Sequence, residues 1–262
     1  MKLGLIDYSN SWPFLRHFKK LDWPSLEICA DIPSGLNSRL AKGELDVSAV
    51  SAFECLKNPD SYYILPDWSI NSKRHVRSVM LFSNRPLEDL EGARIGLTGH
   101  SATSIHLLKL ILKNKGITAS YLGDKESHLD ARLLIGDPAL TFNDPNFSHA
   151  TDLAQEWTQS TGTPMVFAVM AVRRDRQSLL TQDLKRLSQE LIAARKAFSK
   201  GLGPLKAEME SSFPNIPLDF DEYFACLDFS FDDPCQRGLI GYATALAEHG
   251  FIKNFSSLPL SN

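Results

Sequence analysis

Residues 94–116 read Arg-Ile-Gly-Leu-Thr-Gly-His-Ser-Ala-Thr-Ser-Ile-His-Leu-Leu-Lys-Leu-Ile-Leu-Lys-Asn-Lys-Gly. The run 94–98 is short and apolar enough to be a buried strand. Beyond a loop of small and hydroxyl residues, leucine and isoleucine recur at the spacing of one helix face, until Gly116 ends the pattern. This order of strand, loop and helix predicts an α/β fold with a mostly parallel sheet.

The loop at 99–104 has the composition of an anion-binding loop. The first turn of a helix leaves N–H groups unpaired and carries a partial positive charge. Ser101, Thr103 and Ser104 add hydroxyl donors, and Ala102 leaves room for a ligand to approach. Because an ordinary helix cap uses the same residue types, the loop alone predicts either a cap or one wall of a carboxylate site.

Other predicted strands end in the same kind of neutral residue. Parallel strands bring their carboxyl ends to one edge of a sheet, where ligands bind in α/β proteins. The recurrence therefore favours recognition of a small carboxylate by neutral donors. The candidate residues are Ser9, Asn10, Ser11, Ser51, Ser78, Thr98 and Gly136.

Titratable candidates are few. Asp137 follows a strand end and is the best-placed carboxylate, although an Asx turn leading into Pro138 would use it equally well. His100 adjoins the loop and could act as a general acid or base near neutral pH. His106 falls within the apolar helix and is predicted to pack there. Trp12, Trp68 and Trp157 are expected in the core, though any of them could wall a ring pocket.

Composition and missing motifs exclude several function classes. The net charge of −3 argues against a nucleic-acid surface, which needs a basic bias. The sequence has no H-E-x-x-H, P-loop, GxGxxG or G-x-S-x-G motif, so zinc, nucleotide and serine-hydrolase sites find no support. The four cysteines lack CxxC spacing and are interpreted as reduced thiols. The N-terminus has no signal-peptide pattern and no segment could span a bilayer, so we expect a cytoplasmic protein without membrane contact.

Two β-prone runs, 76–83 and 165–172, bracket a central block with its own strand and helix pattern. They predict a two-lobed clamshell rather than the alternative, one continuous doubly wound sheet. Lobe one combines residues 1–83 and 174–262, and lobe two is an insertion, 84–173, reached by two crossover strands. The C-terminal part is predicted to be helical, at 184–200, 204–211, 220–227 and 234–249.

Several motifs, in this order along the chain, resemble the menaquinone biosynthesis family that contains chorismate dehydratase. The opening Asp-Tyr-Ser-Asn-Ser-Trp-Pro at 7–13 is similar to the family's Ser-Tyr-Leu-Asn-Thr-x-Pro. Further similarity lies at 33–37, 43–48, 65–70, 78–83, 97–104, 134–137 and 156–169. The resemblance covers roughly residues 3–173 in register, whereas the C-terminal helices match only as a pattern.

The resemblance implies a fold like that of type 2 periplasmic binding proteins, used by an enzyme. The family reaction is the removal of water from chorismate to give 3-[(1-carboxyvinyl)oxy]benzoate, the first step of the futalosine route to menaquinone. The resemblance thus implies that the chain is a hydro-lyase with a small-molecule substrate and no metal or organic cofactor. Chorismate carries two carboxylates, which agrees with the neutral donor loops.

With chorismate as the ligand, we expect the 101–104 loop and Ser78 to hold carboxylates. Asn10 and Asp137 are the candidate catalytic residues, and Asn10 would orient the ring hydroxyl or the enolpyruvyl group. The proton acceptor is left open between the substrate's own side-chain carboxylate, Asp137 and His100.

The sequence departs from the family pattern at four positions: Ser9 for Leu, Ser11 for Thr, Ala52 for a hydroxyl residue and Met170 for Trp. Two other functions remain as alternatives. One is the sister lyase of the same pathway, which forms dihydroxynaphthoate from a cyclic futalosine derivative. The other is a non-catalytic protein that binds small carboxylates.

Overall fold

Across residues 1–199 and 201–260, the part of the chain that the computed structural model describes, two five-stranded sheets are packed with helices. The strands are β1 (Lys2–Ile6), β2 (Glu27–Asp31), β3 (Val47–Ser51), β4 (Tyr62–Ser72), β5 (Val79–Ser83), β6 (Arg94–Leu97), β7 (Ser120–Gly123), β8 (Ala131–Ile135), β9 (His149–Asp152) and β10 (Met165–Arg173). The helices are α1 (Trp12–Lys19), α2 (Pro33–Ala41), α3 (Ala52–Lys57), α4 (Ala102–Asn114), α5 (Asp137–Leu140), α6 (Leu153–Thr161), α7 (Thr181–Phe198), α8 (Leu205–Ser212), α9 (Phe220–Phe224) and α10 (Asp233–Glu248).

The first sheet, in the order β2-β1-β3-β10-β4, is the centre of lobe one. Strand β1 is parallel to β2 and β3, whereas β10 is antiparallel to β3 and β4. All residues of β3 and eight of the nine in β10 are buried. Such continuous burial is typical of central strands that are covered on both faces. Helices α2 and α10 supply part of this cover.

The second sheet, in the order β7-β6-β8-β5-β9, is the centre of lobe two. Strand β6 is parallel to β7 and β8, and β5 is antiparallel to β8 and β9. The loop at 98–101 connects β6 directly to α4, as the sequence pattern predicted. Leucines along α4 are fully buried, so this helix provides much of the core of lobe two.

The existence of two sheets shows that the alternative of one continuous doubly wound sheet is wrong. The sheet membership of two strands also differs from the predicted lobe boundaries. Residues 79–83 were placed in lobe one and 165–173 in lobe two, but β5 is bonded to β8 and β9, and β10 to β3 and β4. The chain instead crosses between the lobes at 73–78 and 162–164, which are not strands.

Three strands had no counterpart among the predicted elements. Strand β4 contains Pro66 and Asp67, which interrupt its apolar pattern, but it lies at a sheet edge, where proline is tolerated. Strands β7 and β9 have only four residues each and are largely exposed. Short exposed edge strands lack the hydrophobic periodicity on which prediction from sequence depends.

The helical C-terminus packs against lobe one through aromatic side chains. The ring of Phe14 lies 5.7 Å from Trp68, 5.2 Å from Phe198 and 5.0 Å from Phe229, measured between centroids.

The predicted helices are confirmed to within a few residues, except that α9 ends at Phe224. Residue 200 of the predicted helix 184–200 lies outside the described residues. None of the described helices is long and apolar enough to cross a membrane.

One buried carboxylate connects the crossover segment 73–78 to α6. The Oδ1 atom of Asp152 accepts hydrogen bonds from the backbone N–H groups of Ala154 and Gln155, which caps the helix. Its Oδ2 atom accepts from the N–H groups of Val76 and Arg77, at 2.8 and 2.7 Å. Arg77 has a positive φ of 59°, an uncommon conformation for a residue with a side chain. Asp152 therefore holds a bent segment in place.

Replacing Asp152 with Asn should lower the free energy of unfolding by about 2 kcal/mol, because an amide NH₂ would face the N–H groups of Val76 and Arg77 and leave them unpaired. Urea denaturation measures this change. The control is Asp144→Asn, since the Asp144 carboxylate accepts from Asn146 within its own turn. Equal stability of the two variants would contradict the assigned role.

Candidate active site

A crevice lies between the lobes, where the carboxyl ends of the parallel strands of both sheets face each other. Its atom-free space, counted to the open mouth, is about 440 Å³. The lining residues are Ile6, Tyr8, Asn10, Pro33, Ser51, Ile70, Val76, Ser78, Val79, Ser101, Ser104, Ile135, Gly136, Phe167 and Ala168.

A larger hollow, of about 970 Å³, lies beside α7 and α9. It shares no lining residue with the crevice, and residues of the C-terminal helices line it. The crevice is therefore the better candidate site, since it collects donors from both lobes.

Six of the predicted site residues meet at the crevice: Asn10, Ser51, Ser78, Ser101, Ser104 and Gly136. All five with side chains are at most 8% exposed. Their convergence from separate strand ends is what the sequence pattern predicted. That they bind a ligand stays a prediction.

The other six predicted residues do not line the crevice. The Oγ1 of Thr103 accepts from the N–H of Phe53, and the Oγ1 of Thr98 accepts from the N–H of His100. The hydroxyl of Ser11 donates to Asn10 Oδ1 at 3.2 Å. These three hydroxyls hold the loops in shape, because a backbone or side-chain partner already engages each one. Ala102 begins α4 beside the crevice without lining it.

Ser9 and Asp137 bond to each other across the lobes. The carboxylate of Asp137 accepts from the N–H of Ser9 at 3.0 and 3.2 Å and from its hydroxyl at 2.5 Å. Burial raises the pKa of Asp137 above its usual range, whereas the hydrogen bonds from Ser9 lower it and the charge of Asp7 raises it further. Asp137 is turned toward Ser9, so the structure does not bring it into the crevice with Asn10. The alternative, an Asx turn, is not formed among the described residues, because the Asp137 carboxylate accepts hydrogen bonds from Ser9 instead.

Tyr8 and Gly136 form a close contact at one wall of the crevice. Gly136 has a positive φ of 60°, and a Cβ atom there would lie 2.6 Å from the Tyr8 ring. Glycine is therefore required at this strand end. Burial, with a smaller effect from the charge of Asp137, raises the pKa of Tyr8 to about 12. The Tyr8 hydroxyl lies 3.2 Å from Nδ1 of His100, so His100 takes part in a second contact between the lobes.

Ser51 differs from the cap that its position suggests. It precedes α3, yet its side chain makes no capping hydrogen bond. Its hydroxyl is buried, lines the crevice and has no hydrogen-bond partner among the described residues. The backbone N–H of Ser51 is held by Oδ1 of Asn37, a residue that sequence reasoning missed. A buried unpaired hydroxyl is costly unless a ligand or water completes its hydrogen bonds.

At the other lobe, the hydroxyl of Ser101 accepts from the N–H of Ser104 and lies 3.0 Å from that residue's own hydroxyl. Ser101 is thus the cap of α4 and a crevice residue at once. The cap interpretation of the 99–104 loop is confirmed, and the interpretation as one wall of a carboxylate site stays a prediction. The N-terminus of a 13-residue helix points its dipole toward the same region.

The rest of the crevice wall is apolar. Ile6, Ile70, Val79, Ile135 and Phe167 belong to this wall, and sequence reasoning did not identify them because single apolar strand residues carry no distinguishing signal. Trp12, Trp68 and Trp157, which could have walled a ring pocket, do not line it. Among the described lining residues there is no Lys, Arg, His, Asp or Glu. His106 is confirmed as a packing residue, since it stacks on Phe53 with ring centroids 3.7 Å apart.

The sequence pattern described as "Menaquinone biosynthesis" matches residues 1–248. A relative from Thermus thermophilus, "Chorismate dehydratase", is 36% identical and covers 93% of this chain and 94% of its own. The chain belongs to the menaquinone biosynthesis family.

A second relative, "Chorismate dehydratase" of Campylobacter jejuni, is 27% identical over 73% of this chain and 76% of its own. Among solved structures, the periplasmic aliphatic sulphonate binding protein SsuA from Escherichia coli is similar, with a TM-score of 0.66 at 14% identity, covering 100% of this chain and 94% of that one. This likeness shows that the family member has a periplasmic-binding-protein-like fold, as the sequence motifs implied.

In this member of the menaquinone biosynthesis family, Ser9→Ala should raise the pKa of Asp137 further, because burial remains while one hydrogen bond to the ionised form is lost. A ¹³C NMR titration of the Asp137 carboxyl measures the shift. Ser11→Ala is the matched control, since that hydroxyl bonds to Asn10.

Stability gives a second readout of the same change. A carboxyl with a raised pKa binds its proton more tightly in the folded state, so stability falls as pH rises from the usual Asp range through the raised value. In Ser9→Ala this loss should extend to higher pH than in the unmodified protein. An unchanged Asp137 titration in Ser9→Ala would contradict the assignment.

Proposed function

We propose that the crevice binds chorismate and that the chain removes water from it to give 3-[(1-carboxyvinyl)oxy]benzoate. The observation that carries this proposal is the convergence of neutral donors from both lobes on one small crevice with an apolar wall. The sequence relatives named chorismate dehydratase support the choice of substrate. We also place the enzyme in the cytoplasm, where a biosynthetic intermediate would be found.

The crevice offers different surfaces to the two parts of this substrate. A carboxylate can accept hydrogen bonds from the hydroxyls of Ser51, Ser101 and Ser104, next to the N-terminus of α4. The six-membered ring fits against apolar residues such as Val79 and Phe167. Neutral donors bind a carboxylate while leaving it basic, because no cation stabilises its negative charge.

The reaction breaks two bonds and requires no oxidant or reductant. The hydrogen on the ether-bearing ring carbon leaves as a proton, and its bonding electrons enter the ring. The carbon–oxygen bond of the neighbouring hydroxyl breaks, and the hydroxyl leaves with a proton as water. The ring becomes aromatic, which supplies much of the driving force. The protein therefore needs mainly to orient the substrate and stabilise developing charge.

We propose that the substrate's side-chain carboxylate accepts the ring proton. No carboxylate or imidazole lines the described crevice, and the oxygens of Asp137 are engaged by Ser9. Asn10 would hold the enolpyruvyl group or the ring hydroxyl in position for this transfer. Asp137, which we expected among the catalytic residues, would instead position the turn that carries Asn10.

Incubation of the purified protein with chorismate should yield the aromatic product, detected by chromatography and its ultraviolet spectrum. Asn10→Ala should reduce kcat about 100-fold, since the orienting amide is lost. The exposed Asn84→Ala is the control and should retain full activity. Binding of chorismate without any product would instead indicate a non-catalytic binding protein, and full activity of Asn10→Ala would refute the role of Asn10.

Asp137→Asn should lower kcat by less than about tenfold, because the amide oxygen can still accept from Ser9. If Asp137 were the base, the same change would cost about 100-fold or more. Steady-state kinetics with chorismate separates these outcomes. His100→Gln, measured in parallel, tests the other protein group that was considered as base.

A further inference from the structure

Tyr223 is a fully buried residue of α9, with 0% of its side chain exposed. Its hydroxyl has no hydrogen bond of good geometry to any described residue. Its immediate polar neighbours are the side chains of Ser78 and Asn10, both of which line the crevice. Tyr223 itself does not line the crevice.

Packing alone does not explain a tyrosine at this position. A buried hydroxyl without a partner destabilises the folded state, and phenylalanine would supply the same ring contacts without that loss. The ring of the adjacent Phe224 lies 5.8 Å from that of Tyr223, so the Tyr223 ring packs among aromatic side chains. Tyr242 is the contrasting case, since its buried hydroxyl donates to the carbonyl oxygen of Thr103 at 3.0 Å.

The two neighbours of the hydroxyl are only partly fixed by other contacts. Asn10 accepts at Oδ1 from Ser11, at 3.2 Å, which leaves the orientation of its amide loosely held. Ser78 donates to the carbonyl oxygen of Val76 over a long distance of 3.3 Å. A further hydrogen bond from Tyr223 would therefore restrict both groups.

Helix α9 is anchored to the same crossover segment that carries Ser78. The Sγ of Cys226 lies 3.1 Å from Nε2 of His75, and Glu222 pairs with Arg77 at 3.6 Å. Ring contacts hold the other side of the helix against lobe one. The hydroxyl of Tyr223 is consequently presented to the crevice residues from a fixed position.

We propose that Tyr223 is a positioning residue: its hydroxyl, buried and unpaired among the described residues, forms hydrogen bonds with Asn10 and Ser78 when substrate occupies the crevice and so orients the Asn10 amide for dehydration. This role rests on the proposed function. It makes the C-terminal helices, which lie outside the family motifs quoted above, part of the catalytic apparatus.

The test compares four variants of the full chain: Tyr223→Phe, Asn10→Ala, the double variant and Tyr242→Phe. Tyr223→Phe should keep or raise Tm, because an unpaired buried hydroxyl is removed, yet lower kcat about tenfold with KM changed less than about twofold. In the Asn10→Ala background, the same change should alter kcat by less than about twofold, since the residue through which Tyr223 acts is absent.

Tyr242→Phe is the matched control. It should lower Tm, because a satisfied hydrogen bond is lost, and leave kcat within about twofold of the unmodified protein. A purely structural role of Tyr223 would give the same pattern as this control, with lower Tm and unaffected kcat.

The outcomes separate the inference from the proposed function. Absence of product with the unmodified protein would overturn both. Normal turnover by the unmodified protein and by Tyr223→Phe would overturn only the inference. An equal loss of kcat in the presence and absence of Asn10 would show that Tyr223 does not act through Asn10. A marked loss of Tm, or failure to fold, in Tyr223→Phe would show that its hydroxyl is structural.

Discussion

The site depends on the two short crossings, 73–78 and 162–164, that link one sheet to the other. They keep the carboxyl ends of β1 and β3 opposite those of β6 and β8. Direct hydrogen bonds then join the facing loops, from Ser9 to Asp137 and from the N–H of Phe53 to Thr103. These contacts engage polar groups that would otherwise face a ligand, so they also determine which polar residues are left to line the crevice.

The polar side chains that line the crevice are hydroxyls and one amide, in an otherwise apolar cavity. Such a site can orient a carboxylate substrate without neutralising it, which matters if that carboxylate is to accept a proton. A lysine or arginine at the same place would bind more strongly but would depress the basicity of its ligand. The neutral lining and the absence of a free protein base from the described lining thus support the same mechanism. We propose that Asp137 acts through Ser9 and that Tyr223 acts through Asn10.

Sequence reasoning identified the fold class, and six of its twelve candidate site residues line the crevice, because strand ends and helix caps have local signals. It placed β5 and β10 in the wrong lobes, since apolar runs do not reveal which sheet a strand joins. It overestimated Thr98, Thr103 and Asp137 because a hydroxyl or carboxylate at a strand end can be turned toward the protein as easily as toward a ligand. Tyr223 had no such signal, since it belongs to α9, far along the chain from Asn10 and Ser78.

The most direct test of this account is a crystal structure of the protein with the proposed product, 3-[(1-carboxyvinyl)oxy]benzoate. The account predicts the ligand in the crevice, with a carboxylate at about 2.7–3.2 Å from the hydroxyls of Ser51, Ser101 or Ser104 and the ring beside Phe167. A ligand bound in the hollow beside α7 and α9, or a carboxylate paired with a lysine or arginine, would contradict it.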